Sequence, residues 1–242
     1  MKRAEVWKDA ALARVYLDGV RGAIPLAGEQ IAVMLQLLKA LDVEIGSFLD
    51  LGCGGGALAR AILDQHPGAE GVLLDFSQPM LQEARNNFAS QPYRLHFVQG
   101  DYGDPAWVDL VRERAPFDAV VSGFSIHHQD DGRKRELYRE ILSLLRPGGI
   151  FVNIEHVTPD SPWVSARFEN LFIDNLHELH RQQFPQLTRQ QVADQYYHRP
   201  DKEANLLAPL EDQCRWLREI GYQDVGCYFK IFELAVFGGR RL

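Results

Sequence analysis

The sequence predicts an α/β fold: a central, mostly parallel seven-stranded sheet with helices on both faces, an antiparallel edge hairpin and a helical cap. Three observations predict it. Strand-like apolar runs alternate with helical patterns from Phe48 to Val157, the order that builds parallel sheets through βαβ crossovers. The first run ends in a glycine-rich turn and the second ends in an acid, Asp75. Near the C-terminus two further runs stand almost end to end, which leaves room only for an antiparallel turn.

The elements follow in order. LAGEQIAVMLQLLKAL places Ile31, Met34, Leu35, Leu38 and Leu41 at helical spacing, and SFLDL is a short strand. GALARAILDQH is a helix stopped by Pro67-Gly68, GVLLDF a buried strand, and PMLQEARNNFA a helix that opens on a proline. YRLHFVQGD is the third strand, PAWVDLVRER a short helix, and FDAVVSGF the fourth strand. RKRELYREILSLL is a helix with Leu137, Ile141 and Leu144 on one face, ended by Pro147-Gly148-Gly149, and GGIFVNIEHV is the fifth strand. From Ser161 to about Asn205 the alternation stops, and the segment is rich in Gln, His, Phe and Tyr. LEDQCRWLREIG then reads as a helix and DVGCYFKIFELAVFGGRR as the hairpin.

A chain of 242 residues with 46% hydrophobic content is enough for one well-cored domain. The expected division is a single domain, 1–242, with N-terminal helices at 1–42, a ligand-binding core at 43–157, a cap insertion at 158–205 and a C-terminal helix and hairpin at 206–242. A formal charge of −7 disfavours a protein that grips nucleic acid by its phosphates. No apolar run approaches the roughly 18 residues of a membrane span, and the N-terminal stretch lacks a leader's apolar region. Cys53, Cys214 and Cys227 form no CxxC pair, so neither a disulfide framework nor a metal site is expected. A cytoplasmic protein is the expectation.

The turn reads D-x-G-x-G-x-G: Asp50, Gly52, Gly54, Gly56. Glycines at the carboxyl end of a first parallel strand let a ligand lie against bare backbone. Asp75, about 20 residues on, can accept from both ribose hydroxyls of an adenosine. Nicotinamide dinucleotides and S-adenosylmethionine both carry adenosine, and the spacing separates them. A dinucleotide turn is G-x-G-x-x-G, with a helix N-terminus facing a pyrophosphate; Asp50 would oppose a pyrophosphate but suits the ammonium of a methionine moiety. Here the sequence resembles the class I S-adenosylmethionine-dependent methyltransferases.

Three further stretches carry the resemblance. VQGD (Val98 to Asp101) is similar to the end of that family's third strand, FDAVVSGFSIHH (Phe117 to His128) to its fourth strand and the loop under the cofactor, and LLRPGGIFVNIE (Leu144 to Glu155) to its helix, turn and fifth strand. The resemblance implies a Rossmann-like class I methyltransferase fold with S-adenosyl-L-methionine as cofactor. It places Asp50, Gly52, Cys53, Gly54, Gly56, Asp75, Gly100, Asp101, Tyr102 and Ser122 around that cofactor, with Asp101 at the adenine amino group and Tyr102 beside the ring. Phe76 and Met80 border the adenine, although Met80 also lies on the core side of its helix. The IHH loop and the EHV strand end look like the small-molecule and tRNA-modification branch of the family.

His127 and Glu155 are the catalytic candidates. One of His127 and His128 orients an acceptor or takes its proton, the competing role being to fix the loop; Glu155 and His156 end the fifth strand on the same rim. His177 and His180 share a helical face without a third ligand, so no metal is expected. Arg133, Lys134 and Arg135 read as a solvated helix face, with RNA contact as the sharper alternative. The expected activity is methyl transfer to a small or moderately sized acceptor by a monomer or homodimer away from the membrane. A tRNA-modification enzyme, a non-catalytic cofactor-binding module and an NAD-dependent oxidoreductase stand as alternatives.

Overall fold

The computed structural model describes residue 9 and residues 20–41, 43–181, 184–199 and 202–242. The expected helices before residue 20 lie outside the described residues. Seven strands form one sheet among those described: β1 (Ser47–Leu51), β2 (Glu70–Asp75), β3 (Arg94–Gln99), β4 (Phe117–Gly123), β5 (Leu145–His156), β6 (Gln223–Ile231) and β7 (Leu234–Arg240). Their order is β3-β2-β1-β4-β5-β7-β6. The first five are parallel, and β7 runs antiparallel to both β5 and β6. The chain order reverses between β1 and β4, so the crevice for a ligand opens at their carboxyl ends.

The helices are α1 (Ala27–Lys39), α2 (Ala57–Gln65), α3 (Gln78–Phe88), α4 (Trp107–Val111), α5 (Asp131–Leu144), α6 (Pro162–Arg181), α7 (Arg189–Tyr197) and α8 (Leu210–Ile220). Local chemistry sets their ends. The Ser77 hydroxyl accepts from Met80 N and opens α3, Asp130 does the same for α5 through Arg133 N, and Thr188 with Gln191 forms a capping box on α7. One apolar layer, around Phe48, Met34, Leu63 and Leu73, fills one face of the sheet. The other, around Trp107, Tyr138, Phe151 and Trp216, fills the opposite face.

Two expectations are corrected. Helix α5 ends at Leu144, and Pro147, Gly148 and Gly149 lie within β5, where the register against β4 shifts between Phe117 and Ala119. The extra residues are absorbed as a bulge, which tolerates proline. The C-terminal hairpin is at the edge as expected, with its second strand inside and β6 outermost.

The second correction concerns the basic triplet. Arg133 and Lys134 are buried. Arg133 forms a fork on Glu140 at 2.8 and 2.7 Å and holds the Tyr102 carbonyl at 2.9 Å, while Lys134 reaches Asp131 and the Leu206 carbonyl. Only Arg135 of the three is exposed, and its guanidinium lies over Trp216. Hydrogen bonds to carboxylates and carbonyls compensate these buried charges, so Arg133 and Lys134 brace the rim of the crevice rather than forming a solvated face.

Helices α6 and α7 carry a third apolar cluster, in which Phe168, Phe172, Leu176 and Tyr196 pack against Ala23, Ile24 and Leu234. Asn175 Nδ2 donates to the Ala23 carbonyl at 3.1 Å. The inserted segment and the stretch before α1 thus pack together beside the crevice.

Candidate active site

β1 is buried on both faces and runs directly into the turn, whose Gly52 and Cys53 amides both donate to the Leu74 carbonyl of β2, at 2.8 and 3.0 Å. Gly52, Gly54 and Gly56 all have positive φ, but they serve different ends. A Cβ on Gly52 would lie 1.9 Å from Ser125 Oγ, and one on Gly56 would lie 2.7 Å from the Phe88 ring. Those two positions are required by the protein's own packing. Among the described residues outside its own chain neighbours, a Cβ on Gly54 would meet nothing nearer than Met80 Sδ at 4.0 Å, so Gly54 is the glycine of this turn with open space beside its backbone.

Asp75 ends β2 with its two carboxylate oxygens accepting from Gly54 N at 2.9 Å and Ser77 N at 2.8 Å. Burial pushes its carboxyl up to about 6, against the opposite pull of those backbone donors. Asp50 Oδ2 accepts from Ala59 N at 3.1 Å, so this acid also steadies the start of α2. Met80 is buried, Phe76 half-buried, and both follow Asp75 at the opening of α3. Asp101 is exposed and accepts from Gly103 N within its own turn, and Gly100 packs beside Leu74 and Leu110. Tyr102 is buried, and its hydroxyl reaches Ser125 Oγ at 2.5 Å above Gly52. Ser122 is fully buried and donates to the Leu51 carbonyl at 2.8 Å. Its hydroxyl therefore ties β4 to β1.

A cavity of about 70 Å³ lies where β1, β4 and α1 meet. Asp50, Gly52 and Cys53 line it from the turn, Gly123 and Phe124 from the exit of β4, and Gln30 from α1. Phe124 adopts a φ of 51°, a conformation uncommon for a bulky residue and frequent at functional sites. Its amide donates to the Ile154 carbonyl at 2.8 Å.

On the adjoining rim the two catalytic candidates meet. His127 Nδ1 lies 2.5 Å from Glu155 Oε1, the His127 amide donates to Glu155 Oε2 at 3.0 Å, and the His156 amide donates to Oε1 at 2.8 Å. Both side chains are buried. Because a carboxylate only accepts, the hydrogen on Nδ1 points to Glu155, and the lone pair is left on Nε2. His128 Nδ1 reaches the Ala204 carbonyl at 3.1 Å and His156 Nε2 reaches Glu233 at 2.7 Å. Burial holds both imidazoles below the ordinary histidine range, for His156 despite its glutamate partner. His177 is spent on the Leu187 carbonyl, and no metal-binding cluster occurs among the described residues.

A family model described as a methyltransferase domain matches residues 48–149. An uncharacterized methyltransferase of Mycobacterium bovis is 34% identical over 148 residues, which cover 55% of this chain and 67% of that protein. The chain belongs to the class I S-adenosylmethionine-dependent methyltransferases. This methyltransferase is also 29% identical over 129 residues to the ornithine lipid N-methyltransferase of Singulisphaera acidiphila, covering 53% of this chain and 65% of that one. An O-methyltransferase family protein from Burkholderia thailandensis shares the fold, with a TM-score of 0.62 at 18% identity over 99% of this chain and 59% of the other. Against several curated relatives the methyltransferase spans about half their length, 45% of one and 51% of another.

The turn fits the family's cofactor, S-adenosylmethionine, because Gly54 leaves clear backbone beside a buried acid. Motif reading alone missed Gln30, Ser125 and Glu233. Gln30 carried a signal, since it stands four and eight residues before the buried Met34 and Leu38 and so shares their face.

Proposed function

We propose that this methyltransferase moves the methyl of S-adenosylmethionine to a hydroxyl of a small or moderately sized acceptor, in one domain whose cap, residues 158–205, borders the acceptor. The observation that carries this reading is the His127–Glu155 pair at the carboxyl ends of β4 and β5. When bound, S-adenosylmethionine would supply an electrophilic methyl on a sulfonium, with the neutral thioether S-adenosylhomocysteine as the leaving group. His127 Nε2 takes the acceptor's hydroxyl proton, and Glu155 fixes the ring's tautomer and steadies the imidazolium that results. Asp75 holds the ribose, Gly54 gives the backbone room, and Phe76, Met80, Asp101 and Tyr102 surround the adenine. Aromatic side chains of the cap exclude water. The experiment is turnover with a panel of phenols, alcohols, amines and tRNA. A hydroxyl acceptor whose methylation needs His127 supports the reading, whereas turnover confined to tRNA or to amines contradicts it.

Asp75 makes cofactor binding pH-dependent. Its carboxyl titrates at about 6 in the fold against 3.8 ordinarily, so the fold is favoured by the protonated acid below about pH 4 and has lost that contribution once pH rises through 6. The buried anion then costs about 3 kcal/mol at neutral pH. Ribose hydroxyls donate to the ionised form, so protonation opposes binding. Affinity for S-adenosylhomocysteine should fall by up to about tenfold for each pH unit below 6, with proton release visible as buffer-dependent heats in calorimetry. Asp75→Asn should flatten that profile and weaken binding about tenfold or more at pH 8. A wild-type affinity constant from pH 5 to 8 would contradict the assignment.

A further inference from the structure

Gln30 is fully buried on α1 and lines the cavity bounded by Asp50, Gly52, Cys53 and Phe124. Its Nε2 donates to the Pro25 carbonyl at 2.8 Å. That bond fixes the amide's orientation, because oxygen facing a carbonyl would be repelled. Oε1 is left buried and accepts no hydrogen bond from the described residues. A buried acceptor without a donor costs free energy, and such a group on the wall of a mostly apolar cavity points to what the cavity receives.

One of the cavity's other polar side chains is of the same character. Asp50 contributes a carboxylate, and the Cys53 thiol points to the Gly54 carbonyl at 3.5 Å. A space of this size between the glycine turn and the end of β4 suits the amino-acid end of a ligand whose adenosine is held at Asp75. Acceptors gathered from α1 and β1 select a cation there over a carboxylate.

We infer that Gln30 is a cofactor-positioning residue, whose Oε1 accepts a hydrogen bond from the α-ammonium of the cofactor's methionine moiety and so couples α1 to cofactor binding. This rests on the cofactor reading of the turn at Gly54 and Asp75. The bond tethers the end of the cofactor next to the sulfonium, while Asp75 tethers the other end. Gln30 thereby helps fix the direction of the methyl carbon.

The test is calorimetry with three ligands, S-adenosylhomocysteine, its analogue lacking the α-amino group, and 5′-methylthioadenosine, on wild type, Gln30→Met and Gln30→Glu. The wild type should prefer S-adenosylhomocysteine to the desamino analogue by about tenfold or more, as expected for a charge-assisted bond. Gln30→Met should lower that preference about fivefold or more, Gln30→Glu should restore it, and 5′-methylthioadenosine should bind all three proteins within about twofold. Equal losses for all ligands in Gln30→Met would overturn the inference in favour of a brace on the Pro25 turn. An unchanged preference would overturn it as well. If wild type binds none of the three ligands, the cofactor reading itself falls and this inference with it, whereas 5′-methylthioadenosine binding with an unaltered preference condemns Gln30 alone.

Discussion

Gly54→Val is expected to abolish cofactor binding, with a loss of at least about a hundredfold in affinity, while the protein stays folded. The residue sits at a φ of 53°, where a β-branched side chain is strained by about 1–3 kcal/mol. Among the described residues outside its chain neighbours, no atom lies within 4.0 Å of the added Cβ except Met80 Sδ at that limit, so the fold has room for the methyl groups. They would occupy the face that a ligand must share. The strain would also turn the Gly54 amide away from Asp75 Oδ2, which it now meets at 2.9 Å. Gly52→Val is the contrasting variant. Its Cβ would be driven into Ser125, and it should lose stability as well as binding. Thermal unfolding beside calorimetry separates the two. A folded Gly54→Val with wild-type affinity would remove the turn from the site.

His127→Ala should lower kcat for a hydroxyl acceptor by roughly 10²–10⁴-fold, the usual contribution of a positioned general base. Affinity for S-adenosylhomocysteine should stay within about twofold, since the base is assigned to the acceptor. Glu155→Gln should fall in the same direction, because an amide at 2.5 Å from Nδ1 no longer enforces the tautomer that leaves Nε2 as the base. The Glu155 carboxylate also holds the His127 and His156 amides, so its loss should shift the pH profile as well as the rate. Unchanged kcat in a folded His127→Ala would assign the pair to fixing the loop, the alternative role open for these histidines from the sequence.

The sheet was legible because each buried parallel strand is a compact apolar run between turn residues, and Asp75 and the glycine spacing together point to adenosine. What stayed hidden depends on pairings between distant residues. His127 and Glu155 stand out singly as polar groups at strand ends, yet their contact spans 28 positions and exists only because β4 and β5 are neighbours. Gly52 reads as a ligand contact in the sequence, and the demand that Ser125 also makes on it is visible only in the fold. Lys134 looks solvated until the Leu206 carbonyl, far along the chain, arrives as its partner. Composition marks 161–205 as different in kind, but its packing on Ala23, Ile24 and Leu234 has no counterpart in local periodicity.

Binding of the cofactor between the Gly54 backbone and Asp75 precedes, in the proposed function, the proton transfer to His127. Its most direct measurement is titration calorimetry of the wild-type protein with S-adenosylhomocysteine and, separately, with NAD at pH 8. One saturable S-adenosylhomocysteine site per chain, lost in Gly54→Val, and no measurable NAD binding are expected. Failure to bind S-adenosylhomocysteine, or equal binding by Gly54→Val, would contradict that placement of the cofactor.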